Sequence, residues 1–67
     1  MIGWMIELRN SRTGCPSGLA FNVRTHVWEP VSVRGNSFPT AEAAISYAQE
    51  NGLVIGDDVL ITSHIWD

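Results

Sequence analysis

The chain contains no lysine; all four of its basic residues (Arg9, Arg12, Arg24, Arg34) are arginine. Arginine suits planar, bidentate contacts to carboxylate or phosphate better than lysine does. One cysteine, Cys15, leaves no internal disulfide to form, and a cytoplasmic location is the expectation. No apolar run approaches the roughly 18 residues that a membrane-spanning helix needs. The opening MIGWMIELRN lacks a basic n-region and a small-residue cleavage site, so it reads as a strand and not as a signal peptide. Neither G-x-x-x-x-G-K-[ST] nor G-x-G-x-x-G occurs, so nothing points to nucleotide phosphates. Repeats and low-complexity segments are absent too.

What is present is a composition 45% apolar and 16% charged, which belongs to a folded globule. At 67 residues the expectation is one domain, 1–67. A chain of this size buries only about 60% of its unfolded surface. A cavity of roughly 300 Å³ is large for such a core, which weighs against a monomeric enzyme. The net charge of −3 is unevenly divided. Residues 1–39 carry every arginine against Glu7 and Glu29, whereas residues 40–67 carry Glu42, Glu50, Asp57, Asp58 and Asp67 with no basic group.

Residues 3–9 alternate, with Trp4, Ile6 and Leu8 opposite Met5, Glu7 and Arg9, as a half-buried strand does. NSRTGCPSG at 10–18 is rich in turn formers. Residues 18–25 alternate again, Leu19, Phe21 and Val23 against Ala20, Asn22 and Arg24, and are expected to pair with the first strand as a hairpin. In VWEPVSVRG, Pro30 cannot donate to a ladder and marks an edge, bulge or break. The pattern there suggests strand at 27–29, a kink, and strand at 31–34, with Val31 and Val33 facing in and Trp28, Ser32 and Arg34 facing out. SFPTAEAAISYAQENGL at 37–53 holds the helix signals: Thr40 as N-cap, Glu42 in the first turn, a face of Ala41, Ala44, Ile45 and Ala48, and Gly52 and Leu53 to end it. GDD at 56–58 reads as a turn, and VLITSHI at 59–65 as the last strand. The expected fold is α+β: a small two-layer sandwich, β-β-β-α-β, with one helix covering one face of an antiparallel sheet of three to four strands.

Catalytic and metal-binding readings find little purchase. Cys15, His26, His64 and Asp57 or Asp58 can be drawn as nucleophile, base and orienter, yet no spacing brings them together. One cysteine and two distant histidines lack the paired spacing of structural zinc. Asp57-Asp58 after Gly56 is ordinary turn chemistry. No catalytic residue, metal ligand or cofactor is therefore expected. The face opposite the helix is the candidate partner surface, with Met5, Arg9, Arg24, Trp28, Arg34, His64 and Trp66 as its contact residues. Trp, Arg and Met are enriched at protein interfaces. The same mixture on an open sheet also suits stacking of single-stranded bases, although the acidic balance counts against phosphate binding. A homodimer through that face is equally compatible, and the kink at Pro30 offers a strand edge as a second surface.

Two segments carry a family likeness. W-E-P-V at 28–31, followed by F-P-T-A-E-A-A-I-S-Y-A-Q-E-N-G-L at 38–53 and an apolar strand, resembles a loose group of small bacterial and phage β-β-β-α-β proteins. It also resembles the conserved region of the iron–sulfur-associated accessory subunit of respiratory complex I. There, a Phe-x-Thr start leads into an Ala-rich helix ending in Asn-Gly. That family offers no catalytic residues to carry over, and the resemblance implies a docking module. In size and acidic character the chain is similar to phage or mobile-element inhibitors of host enzymes, anti-CRISPR proteins among them. The expectation is thus a non-enzymatic protein that binds another protein, most concretely such an inhibitor. An accessory subunit of a larger respiratory assembly and a single-strand nucleic-acid binder are the alternatives.

Overall fold

The computed structural model describes residues 2–65. Its elements are β1 (Ile2–Arg9), β2 (Pro16–Asn22), β3 (Val27–Pro30), a short 3-10 helix (Arg34–Asn36), α1 (Ala41–Glu50) and β4 (Val59–Ile65). The strands form one antiparallel sheet in the order β3-β2-β1-β4, so the last strand pairs with the first along its whole length, from Ile2 opposite Ile65 to Leu8 opposite Val59. This is the expected β-β-β-α-β fold with four strands.

The helix forms as its local signals dictate. The Thr40 hydroxyl accepts the Ala43 N–H at 3.1 Å. At the other end the Gly52 N–H donates to the Gln49 carbonyl and the Leu53 N–H to the Ala48 carbonyl, at 3.1 and 3.0 Å. That pair of bonds is a Schellman motif, which needs the left-handed conformation Gly52 adopts at φ 72°. Ala44 and Ala48 are fully buried and bring the helix close to Ile6, Phe21 and Val59, with Trp4, Val23, Trp28, Phe38, Leu53 and Ile61 around them. The helix packs over β1 and β4.

Three features depart from the sequence expectation. β2 begins at Pro16, inside the stretch 10–18 expected as a loop, and ends at Asn22 instead of reaching residue 25. The Asn22 side-chain oxygen accepts the Arg24 and Thr25 N–H groups, a turn that competes with the ladder. Residues 31–34 are not a strand. The chain turns after Pro30 and enters the 3-10 helix, and Val33 is exposed. From there it crosses β2 to reach β1, where Phe38 and Trp4 exchange backbone hydrogen bonds of 2.9 and 2.7 Å. Phe38 thereby fills the place beside β1 that a longer β2 would have taken.

The third departure concerns facing. Trp28 lies directly opposite Phe21 and packs on it, ring centroids 5.1 Å apart, on the helix side of the sheet. The expected outward Trp28 is corrected accordingly. Carrying the strand phase back across the Pro30 break reverses it, because a slip of one residue exchanges the faces. The opposite face is not open either: Met5 and Ala20 are 0% exposed and Glu7 is 4% exposed.

Candidate functional site

The two outer strands of the sheet, β3 and β4, differ in what their free sides offer. Trp4 turns its amide and carbonyl toward Phe38, away from β4, whereas the Arg9 N–H donates to the Asp58 carbonyl at 3.0 Å. In an antiparallel ladder alternate residues point to opposite sides. Thr62 and Leu60 therefore pair inward with Met5 and Glu7, and Ile61, Ser63 and Ile65 direct both N–H and C=O outward. Val59 confirms the phase, since its outward carbonyl accepts the Gly56 N–H at 2.7 Å. Beyond Val59 no described residue pairs with that side of β4. The strand carries no proline, lysine or bulge, the devices that blunt a free edge. Its last residue, Ile65, is 76% exposed and sits opposite Ile2, exposed at 62%.

β3 is the protected edge. It has four residues and ends on Pro30, which has no N–H. The Pro30 carbonyl is taken by the Val33 N–H at 3.0 Å. Glu29 opposes Ala20 within the ladder, so Trp28 alone can donate outward from this strand.

On the face away from the helix, polar groups are tied into the fold. Glu7 Oε2 accepts the Gly18 N–H at 2.9 Å, and Oε1 accepts the Thr62 hydroxyl at 2.8 Å and lies 3.1 Å from His64 Nε2. Gly18, at φ 88°, forms the bulge by which Glu7 opposes Ala20 while Arg9 opposes Pro16. One carboxylate thus joins β1, the β2 bulge and β4. Glu29 Oε1 likewise accepts from Asn22 and Asn36, at 3.0 and 2.9 Å, fastening the crossover to β2. Those amide donors, with Arg24 nearby, hold the Glu29 carboxyl below its ordinary range.

The seven contact residues expected from the sequence are not gathered into one patch. Met5 is buried and Trp28 packs on Phe21. His64 is engaged with Glu7 and Thr62. The Arg9 guanidinium lies against Gly14 in the β1–β2 loop. Arg24 is exposed in the β2–β3 turn and Arg34 in the 3-10 helix. Trp66 lies outside the described residues. Asp58 is a turn residue as expected: its side chain accepts the Val54 N–H at 3.0 Å. Sequence reasoning missed the β4 edge, and the available signal was the uncharged, proline-free run VLITSHI.

These features define a small α+β domain with one unprotected sheet edge, and among the described residues no helix is long and apolar enough to cross a membrane. No family model, no curated protein and no solved structure matches the chain.

Proposed function

We propose that this protein is a non-enzymatic binding module that takes up an extended segment of another protein as a fifth strand beside β4. The observation that carries this reading is the outward set of N–H and C=O groups on Ile61, Ser63 and Ile65, next to exposed Ile65 and Ile2. Main-chain bonds to such an edge supply affinity, and alternate side chains supply specificity. An inhibitor of the phage type, which occludes a host protein by capping one of its strands or tails, is its concrete form.

Proline at position 63 tests the proposal. Ser63 points its N–H outward, so Ser63→Pro removes an edge donor and obstructs an incoming strand without breaking a β1–β4 bond. Thr62→Pro removes a ladder bond instead and is expected to destabilise the fold. A protein captured by the wild-type chain is expected to be lost with folded Ser63→Pro and kept with Arg34→Ala. Capture undiminished by Ser63→Pro refutes the edge as the docking site.

A further inference from the structure

The free edge of β4 lies in the acidic half of the molecule. α1 packs over β1 and β4, and the 51–58 connection leads into β4. Glu42, Glu50, Asp57 and Asp58 in these elements are all exposed, and no arginine or lysine lies among them. The arginines are elsewhere: Arg12 in the β1–β2 loop, Arg24 in the β2–β3 turn and Arg34 in the crossover. Arg9, whose backbone adjoins Asp58, leans on Gly14, within the β1–β2 loop. β4 itself holds no Asp, Glu, Lys or Arg, and its one titratable residue, His64, is paired with Glu7. The charged side chains of α1 and of the 51–58 connection, the elements next to β4, are thus all carboxylates.

Resting on the docking reading above, we infer that the segment added at β4 is basic: an extended stretch with aliphatic side chains opposite Ile61 and Ile65, flanked by lysine or arginine. Charge complementarity selects it. A second copy of this chain pairing edge to edge would set two acidic halves side by side, and like charges across an interface act against a partner. A basic strand gains attraction to the same groups, most strongly at low salt.

Two synthetic peptides of about ten residues distinguish the possibilities. Both carry the same central alternation of isoleucine and threonine; one is flanked by lysines, the other by glutamates. Binding is read from the backbone amide signals of Ile61, Ser63 and Ile65 in the full chain. The lysine peptide is expected to shift these signals and to bind about tenfold tighter at about 50 mM salt, with the advantage shrinking at about 500 mM. Ser63→Pro is expected to abolish binding. Equal affinities, with the same amides shifting, overturn the charge selection and leave edge docking intact. Shifts by neither peptide overturn both. Signals that move with the concentration of the chain alone, with sedimentation as a dimer, make a second copy the occupant and overturn the basic strand.

Discussion

Glu7→Ala is the substitution that the described hydrogen bonding makes most costly. The carboxylate is nearly buried and meets the Gly18 N–H, the Thr62 hydroxyl and His64 Nε2 at 2.9, 2.8 and 3.1 Å. Hydrogen bonds to a charged acceptor contribute about 1.5–3 kcal/mol each, and a donor left unsatisfied costs about 1–3 kcal/mol. Relief of the carboxylate's own desolvation offsets part of that loss. Water entering the vacated space recovers a further part. A net loss of about 3 kcal/mol follows, against a total of roughly 3–10 kcal/mol for 67 residues. For a chain of this size it lowers Tm by about 12–24 °C. Glu7→Gln keeps the volume and one acceptor oxygen but turns an NH2 toward a donor, so about half the loss is expected. Urea titration followed by tryptophan fluorescence, with a thermal melt, measures both. A cost below about 1 kcal/mol for alanine, or a greater cost for glutamine than for alanine, refutes the bridging role assigned to this carboxylate.

The other predictions concern the helix side and the crossover. Trp28→Ala removes half-buried packing on Phe21 and is expected to cost about 2–3 kcal/mol, seen as a lower urea midpoint at unchanged slope. Thr40→Ala removes the N-cap and is expected to cost about 1 kcal/mol, read from the same titration. The Glu29 carboxyl titrates below its unfolded value, so its contribution is fully present above the ordinary glutamate range and fades as pH falls through the folded value. Urea midpoints from about pH 6 to about pH 3 are expected to fall less steeply for Glu29→Gln than for wild type.

Local signals were readable in the sequence, and long-range ones were not. The Thr40 cap and the Gly52–Leu53 end act within a few residues of the helix they bound, so α1 could be placed from the sequence, and period-2 alternation located β1 and β4. The segment Val31–Val33 misled because two valines two apart satisfy the same alternation over too short a span; the need to carry the chain from β3 back to β1 decided its structure instead. Glu7 looked like a solvent-facing strand residue. Its partners Thr62 and His64 lie 55 and 57 residues away along the chain, beyond any local pattern. Strand order is equally non-local, and only once β4 is known to sit outside β1 does its uncharged run become a free edge. The candidate surface therefore moved from a sheet face, and from the edge expected at Pro30, to the edge of β4.

Amide hydrogen exchange along β4 of the isolated chain tests that edge most directly. Thr62 and Leu60 donate to β1 and are expected to exchange slowly, whereas Ile61 and Ser63 point outward and are expected to exchange much faster, giving an alternation of period two. Ile61 and Ser63 protected as strongly as Thr62 in dilute solution would mean that the edge is already covered, and the docking account would be wrong.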